Sequence, residues 1–286
     1  MSTTNLTDLQ YQIQTKWSPV GMAELREKYM LQSLVSKQYE GEMRFLGDTV
    51  RVSQVNAPSS DLKTIGTDHD SFTANKLSMS YVDLKADKRA VSAMKFDDLD
   101  DIQTIVEPNK NPQVRQAMIH DVAGQINTYL YSLMVPSTSA PDHTIGSVTT
   151  LAETNMALMR EDSSLAHWGD EPRYCLTSPQ YYSDLLATAG LNSSDYGFND
   201  AARINGKLGL RRYGFDVFED DSVTAASLIS FIPSALLYAA QYELRWKISD
   251  LHAVGEFGYQ LSCDIVFGAK LSINGSKKCY KITATA

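Results

Sequence analysis

The longest run of periodic apolar residues in this chain, at positions 111–135, predicts a single long amphipathic helix. Its apolar side chains recur every three or four residues, which places them along one helical face. They are Val114, Met118, Val122, Ile126, Leu130 and Leu133. Asn111 is a favourable N-cap, Pro112 suits the first helical position, and Pro136 ends the pattern. About 24 residues rising 1.5 Å each give a helix roughly 36 Å long.

The clearest strand pattern lies near the C-terminus, at residues 257–267. Alternation places six apolar or aromatic side chains on one face: Phe257, Tyr259, Leu261, Cys263, Ile265 and Phe267. About eleven residues at 3.3 Å each also span roughly 36 Å. We therefore expect the long helix to lie along this strand in an elongated molecule, with an irregular α/β block between them in sequence.

An extended excursion precedes the long helix. Residues 49–55 alternate between apolar and polar side chains, and residues 77–84 and 91–96 return as strands. The stretch between the first two strands, 53–76, is rich in Ser, Asp, Thr and Asn. Compact domains seldom keep so long a loop without a use for it. We interpret residues 43–96 as a long two-stranded loop with a mobile tip.

A second amphipathic pattern occupies residues 22–39 and predicts one helix. Its apolar side chains are Met22, Leu25, Tyr29, Met30, Leu34 and Val35. Little neighbouring sequence is available to bury this stripe. We therefore interpret the segment as an arm that packs on another surface.

The central block, residues 141–233 and a few beyond, has the texture of short helices and strands. The expected elements are a helix at 150–168, a strand at 174–176, a helix at 178–190, a strand at 215–218 and mixed strand and helix at 228–242. The second helix begins with Ser178 as a cap followed by Pro179, and Gly190 ends it. Together, the predicted elements describe an α+β fold.

Composition excludes several classes of protein. The formal net charge is −8. The chain is therefore a poor candidate for a nucleic-acid reader, because neutralising phosphates needs clustered Lys and Arg. The three cysteines, Cys175, Cys263 and Cys279, lack metal-ligand spacing and indicate reduced thiols in a cytoplasmic compartment. No signal peptide is recognisable, and no apolar run approaches the roughly 18 residues that span a bilayer. No membrane partner is expected.

The segment "KFDDLDDIQTIVEP", residues 95–108, raises the question of a metal site. Its aspartates, Asp97, Asp98, Asp100 and Asp101, contain the pattern D-D-x-x-D with which some enzymes hold magnesium. Such enzymes place their carboxylates on a long helix and use a second acidic motif across the metals, whereas here the cluster follows a strand and no second motif exists. The favoured interpretation is a short helix that begins with Asp98 as its cap and carries Asp100 and Asp101 in its first turn. A magnesium-dependent enzyme remains the less favoured alternative.

No other residues form a catalytic, cofactor-binding or metal-binding constellation. The five histidines, His69, His120, His143, His167 and His252, lack any zinc spacing. Nucleophile elbows, Walker loops and dinucleotide fingerprints are absent from the sequence. Arg211 and Arg212 form a small basic spot, for which a contact between subunits is favoured over an anion site. The sequence therefore assigns no catalytic, cofactor or metal residue and favours a structural or assembly role.

Four segments, in order, resemble the major capsid proteins of tailed bacteriophages. They are "YEGEMRFLGDTVRV" at 39–52, "KRAVSAMKFDDLDDIQ" at 88–103, "EPRYCLTSPQYYSDLL" at 171–186 and "GKLGLRRYGFDVFEDDS" at 206–222. The first is similar to the family's entry strand into its extended loop, and the second to its return strand. The resemblance runs from about residue 17 to residue 273.

The resemblance implies a coat-protein fold with four parts. Residues 1–42 would be an N-terminal arm and 43–92 the extended loop. Residues 93–136 and 243–286 would form a peripheral domain that contains the long spine helix, and residues 137–242 an axial domain.

The resemblance also implies a function and partners. The chain would assemble with itself into pentamers and hexamers of an icosahedral shell around double-stranded DNA, without sequence-specific binding. A separate scaffolding protein and a portal are expected partners, because the chain leaves little room for a scaffolding segment of its own. The expected location is the virion capsid, assembled in the host cytoplasm. A cellular nanocompartment shell of the same fold remains the alternative.

Overall fold

The computed structural model describes residues 29–42, 49–58, 76–97, 112–134, 143–145, 148–187, 213–223, 227–241, 244–252 and 256–283. The described helices are α1 (Leu31–Leu34), α2 (Pro112–Met134), α3 (Glu153–Leu165) and α4 (Pro179–Ala187). The described strands are β1 (Thr49–Val55), β2 (Met79–Lys85), β3 (Lys88–Asp97), β4 (His143–Ile145), β5 (Tyr174–Thr177), β6 (Asp216–Glu219), β7 (Ser227–Phe231), β8 (Leu236–Ala240), β9 (Arg245–Asp250), β10 (Gly258–Leu271) and β11 (Cys279–Thr283). Short 3₁₀ turns occupy Glu40–Glu42, Pro233–Ala235 and Gly275–Lys278. The α+β prediction is confirmed.

The strands form three sheets. β1 and β2 make an antiparallel two-stranded hairpin that runs in register from the pair Thr49 and Lys85 to the pair Val55 and Met79. In the second sheet, called the spine sheet here, β10 pairs with β3 along one edge and with β8 and β9 along the other. The third is a five-stranded sheet in the order β4-β11-β7-β5-β6.

The long helix lies against the long strand, as the sequence predicts. α2 packs on β3 and β10 and spans 23 residues. Its predicted stripe is buried in the middle and partly exposed at its two ends, Val114 and Leu133. On β10, Leu261, Cys263 and Phe267 are buried in the same core, as predicted for that face, but β10 covers Gly258–Leu271 and Phe257 is 74% exposed. Matching lengths let helix and strand exclude water from each other along most of their extent.

The other face of β10 is also covered near its C-terminal end. Val266 joins Leu84, Ala86, Leu237 and Ala239 in a second buried cluster. Val50 and Val52 of β1 pack against that cluster from the hairpin. The base of the hairpin is therefore a packed part of the subunit.

The N-terminal pattern folds differently from its prediction. α1 ends at Leu34, and the next residue, Val35, is extended with φ −79° and ψ 158°, so the predicted helix does not continue to residue 39. Leu31 and Val35 are buried in the main core of their own chain. The predicted arm therefore packs, in its described part, on its own subunit, while residues 22–28 lie outside the described residues.

Backbone and aromatic contacts hold this N-terminal segment in place. Ser36 N donates to Pro233 O at 3.2 Å, and Tyr238 N donates to Ser36 O at 3.1 Å. The Tyr29 ring lies 4.7 Å from the His120 ring on α2. These two hydrogen bonds pair both backbone groups of Ser36 with residues in and just before β8. They satisfy polar groups that burial would otherwise leave unpaired.

The sheets cut across the domain boundaries that the resemblance implies. β8 falls within 137–242 but pairs with β10 in the spine sheet. β11 falls within 243–286 but pairs with β4 and β7 in the five-stranded sheet. β3 begins at Lys88, before the expected boundary at residue 92, and pairs with β10 from that residue onward. Sequence-local patterns do not reveal such long-range pairing.

The central block matches its predictions in kind and is shorter in extent. α3 covers the middle of the predicted helix at 150–168. Ser178 Oγ accepts a hydrogen bond from Tyr181 N at 3.5 Å, as expected of a cap before Pro179, and residues beyond Ala187 lie outside the described part. The strands predicted at 174–176 and 215–218 appear as β5 and β6. Among the described helices, none is long and apolar enough to cross a membrane.

Candidate assembly surfaces

The aspartate segment is described only at its first residue. Asp97 ends β3, opposite Gly258 in the register with β10, and it is exposed. Asp98, Asp100 and Asp101 lie outside the described residues, so the predicted helix cap stays a prediction. Within the described ranges, no group of three His, Cys, Asp or Glu side chains is placed to hold a metal ion.

The histidines that the sequence singled out lie apart where they are described. His120 stacks on Tyr29 of the N-terminal segment, and His252 lies 5.8 Å from the Phe257 ring. His167 occupies a turn with a φ of 57°. His143 contributes its backbone to β4, and His69 lies outside the described residues, as do Arg211 and Arg212. His120 and His252 therefore contact aromatic rings in different parts of the fold.

The three cysteines are free and buried. Burial raises the pKa of the Cys175 thiol, and desolvation raises the pKa of Cys279 to about 12. Desolvation likewise raises the pKa of Cys263. Thiols with raised pKa stay protonated near neutral pH and are poor nucleophiles. Their role in the described structure is to fill the core.

A fully buried carboxylate ties three parts of the fold together. Asp220 follows β6 and is 0% exposed. Its Oδ2 accepts hydrogen bonds from Met30 N at 3.3 Å and from the Tyr131 hydroxyl at 3.0 Å. Its Oδ1 accepts one from Ser222 N at 3.0 Å. The carboxylate thus joins the N-terminal segment, α2 and the edge of the five-stranded sheet.

The partners of Asp220 are structural donors. Burial, together with the charge of Asp220, raises the pKa of the Tyr131 hydroxyl, which therefore stays a donor at neutral pH. Ser222 Oγ accepts a hydrogen bond of 2.8 Å from Asn127 Nδ2 on α2, which extends the network. Asp220 lies in the sequence "FEDDS" at 218–222, and no role was predicted for it. The available signal was the Asp-x-Ser spacing, which is typical of a side chain that bonds its own backbone two residues on.

A second carboxylate, Asp264, clamps the spine sheet. Arg89 Nε on β3 donates to Asp264 Oδ2 at 2.7 Å, and an Arg245 guanidinium nitrogen on β9 donates to the same oxygen at 2.6 Å. Burial opposes ionisation of Asp264, but the hydrogen bonds and charges of Arg245 and Arg89 outweigh it and hold its pKa below the usual value. Both arginine side chains are more than half exposed, at 61% and 56%, whereas Asp264 is 11% exposed. The clamp links three neighbouring strands on the face opposite α2.

The hairpin carries exposed apolar side chains towards its outer end. Val55 and Met79 oppose each other in register and are 57% and 51% exposed, and Leu77 next to them is 75% exposed. Tyr81, on the same face, is 61% exposed and lies under the Arg51 guanidinium, 4.4 Å from the ring centroid. Exposed apolar groups of this kind mark contact surfaces in soluble proteins.

No protein-family model and no curated protein sequence matches this chain. Solved structures match it over almost its whole length. The structure titled Mycobacterium phage Che8 aligns with a TM-score of 0.77 at 17% identity and covers 98% of each chain. The capsid structure of cyanophage P-SCSP1u aligns with a TM-score of 0.76 at 14% identity, over 99% of this chain and 95% of that chain. The capsid of Ralstonia phage GP4 aligns with a TM-score of 0.62 at 14% identity, over 100% and 99%.

The chain therefore has the fold of phage capsid proteins, as the four sequence segments predicted. More particularly, it has the major capsid protein fold, in which the long helix α2 lies on the spine sheet and the hairpin precedes it in sequence. At these identities, the likeness concerns the arrangement of the backbone.

Proposed function

We propose that this chain is a structural major capsid protein that assembles with itself into an icosahedral shell. The observation that carries the proposal is the alignment of 99% of the chain with the capsid structure of cyanophage P-SCSP1u at a TM-score of 0.76. The chain forms pentamers and hexamers, and the shell encloses double-stranded DNA. No enzymatic activity is proposed.

The parts of the fold receive roles within this proposal. The spine sheet and α2 form the peripheral domain, and the five-stranded sheet with α3 and α4 forms the axial domain that meets its copies around symmetry axes. The hairpin is the extended loop. Residues 1–42 form the arm, and Leu31 and Val35 anchor it in the core of its own subunit, as their burial supports.

The exposed end of the hairpin supports assembly through neighbours. Val55, Leu77, Met79 and Tyr81 are each more than half exposed. Burying apolar surface contributes roughly 25 cal/mol for each Å² removed from water. Contact with a neighbouring subunit covers these side chains, which the hairpin itself leaves in solvent.

The remaining partners follow from the same proposal. A separate scaffolding protein and a portal take part in assembly in the host cytoplasm, and the product is the virion capsid. The net charge of −8 keeps the inner wall from gripping the packaged DNA tightly, because like charges repel.

Expression of the chain, with and without a candidate scaffolding protein, tests the proposal. Negative-stain electron microscopy of the purified product should reveal shells or capsomers of uniform size. A chain that stays monomeric under all conditions, with no shells or capsomers, contradicts the proposal. Nuclease-protected double-stranded DNA in particles from infected cells supports a virion shell, whereas an enclosed protein cargo without DNA supports the nanocompartment alternative.

A further inference from the structure

One edge of the spine sheet is closed by a side chain. Gln125 on α2 reaches the backbone of Val91 in the middle of β3. Its Nε2 donates to Val91 O at 3.1 Å, and Val91 N donates to its Oε1 at 3.4 Å. The carboxamide thus occupies the place that the peptide group of another strand would take. An edge closed in this way resists pairing with a further strand.

The hydrogen bonds between Val91 and Gln125 also show in which direction the backbone N–H and C=O groups of β10 and β9 point. Because Val91 N–H and C=O point away from β10, Val91 and its register partner Asp264 form a non-hydrogen-bonded pair. Backbone groups alternate in direction along a strand, so those of Asp264 and Ser262 point to the opposite neighbour, β9. Their register partners there are Arg245 and Lys247.

The backbone groups of Trp246 and Ile248 must then point outward from β9, away from β10. Ser262 Oγ donates to Lys247 O at 3.2 Å, which agrees with an inward direction for Lys247. Within the described part of the chain, no strand pairs with β9 on its outer side. Among the described strands, this edge of the spine sheet is unpaired.

The open edge also carries apolar side chains. Trp246 and Ile248 are 37% and 55% exposed. Their register partners on β10 are Cys263 and Leu261, so they lie on the face of the sheet that α2 covers. The Arg115 guanidinium lies 5.6 Å from the Trp246 ring centroid. Exposed edge strands with apolar residues are templates for strand addition, in which backbone hydrogen bonds give affinity and side-chain pockets give specificity.

Charge restricts what can pair with this edge. Lys247 lies on the face opposite Trp246, beside Arg245, whose charge is already paired with Asp264, and Arg115 lies on the α2 side. Pairing of β9 with β9 of a copy, through the outward groups, would place the Lys247 side chains of both strands on one face, which is unfavourable. A strand that carries carboxylates is favoured. The chain has 34 acidic and 26 basic residues, so a copy of it offers an excess of such groups.

We propose that the outer edge of β9 pairs with an extended, carboxylate-bearing segment of a second copy of this chain, other than its β9, by strand addition. The inference rests on the proposed function as a self-assembling shell. At the β3 edge, Gln125 already occupies the outward backbone groups of Val91, which disfavours strand addition there. We therefore expect the spine sheet to recruit a neighbour through β9.

A pair of matched proline variants tests the open edge against the closed one. Ile248→Pro removes one outward N–H without touching the bonds to β10, which edge strands tolerate. Val91→Pro is the control at the other edge, because it removes an N–H that donates to Gln125 within the subunit, so it can lower the free energy of unfolding but removes no group left for a neighbour. We expect Ile248→Pro to raise the protein concentration needed for shell formation about tenfold, the effect of losing about one interfacial hydrogen bond. Val91→Pro should assemble like the wild type. Equal assembly by wild type and Ile248→Pro overturns the inference while leaving the proposed function intact.

Crosslinking keeps the test decisive even where Ile248→Pro fails to fold, as judged by circular dichroism. A benzophenone amino acid placed at position 248 of the otherwise unchanged chain is irradiated in assembled shells. The expected product is a covalent dimer of two copies, with the joined peptide rich in Asp or Glu by mass spectrometry. Absence of this dimer, or crosslinking only to position 245–250 of the copy or to another protein, overturns the inference. If the wild-type chain never forms shells, the proposed function is contradicted, and this inference falls with it.

Discussion

Gly268 of β10 lies directly against the backbone of Lys85 at the end of the hairpin. A Cβ placed on Gly268 would come within 2.2 Å of Lys85 O and 2.7 Å of its carbonyl carbon. The chain passes over β10 at this point as it leaves β2 for β3. The glycine thus allows the hairpin to be seated on the spine sheet.

Replacing Gly268 by alanine should destabilise the subunit. The clashing atoms belong to backbone within a packed sheet, so they cannot swing away as a flexible side chain would, and overpacking of this kind costs about 1–3 kcal/mol. Urea unfolding measures the loss. Gly41→Ala is the control, because no atom lies within 4 Å of the added Cβ, and it should change the free energy of unfolding little. Equal stabilities of the two variants would contradict the prediction.

Asp220→Asn should loosen the N-terminal segment together with α2. The neutral amide offers one acceptor oxygen where the carboxylate uses two, so a buried donor is left unpaired at a cost of about 2–3 kcal/mol. Hydrogen exchange should rise at the Met30 amide, which donates to this carboxylate. Tyr131→Phe removes a single donor and should cost less, about 1 kcal/mol. Unchanged exchange at Met30 in Asp220→Asn would show that this carboxylate does not hold the segment.

Asp264 should make the free energy of unfolding of the subunit depend on pH in the acid range. Its folded pKa is lowered, after the opposing effect of burial, by hydrogen bonds and charges from Arg245 and Arg89. Its contribution is therefore fully present above the unfolded pKa of about 4 and is lost as pH falls through the folded pKa. Urea midpoints of wild type and Asp264→Asn should differ at neutral pH and converge at low pH.

The pair Arg51 and Asp83 provides the control for that comparison. Hydrogen bonding to Arg51 lowers the pKa of Asp83, but the pair is on the exposed face of the hairpin, where solvent and salt screen it. Asp83→Asn should change the urea midpoint little at any pH. A constant difference between wild type and Asp264→Asn across the acid range would contradict the assignment to Asp264.

The exposed end of the hairpin should matter for assembly and little for folding. Leu77→Ser with Met79→Ser removes apolar surface that is 75% and 51% exposed. We expect unfolding free energies within about 0.5 kcal/mol of wild type, as for other surface changes, and far fewer shells by electron microscopy. Leu165→Ser on α3, at a side chain 67% exposed, is the matched control for loss of an exposed leucine. Equal shell yields from the two variants would contradict a role of the hairpin end in assembly.

Local sequence patterns predicted the elements that depend on short-range periodicity. The stripe from Met118 to Leu130 and the alternation from Leu261 to Phe267 each specify one buried face, and the structure buries them. The cap at Ser178 with Pro179 likewise depends on neighbouring residues alone. The capsid fold itself was predicted through four ordered segments that resemble a known family.

Three strands and the buried polar anchors escaped prediction, because their roles depend on residues far away in sequence. β4, β9 and β11 were not predicted, although the equally short β5 and β6 were, and pairings such as that of Thr283 with Ser227 define β11. Asp220 and Tyr131 are 89 positions apart in the chain. Neither residue type, taken alone, indicates a buried pair.

The sequence by itself determined which faces of α2 and β10 are apolar, because hydrophobic periodicity is a local property of the chain. Tertiary structure decided the rest. It placed Gly268 under the carbonyl of Lys85, ended α1 at Leu34 so that Val35 could enter the core, and set Gln125 against Val91 on the β3 edge while leaving the outer edge of β9 unpaired among the described strands. Each of these outcomes depends on which distant backbone groups find hydrogen-bond partners, and that choice exists only once the chain is packed.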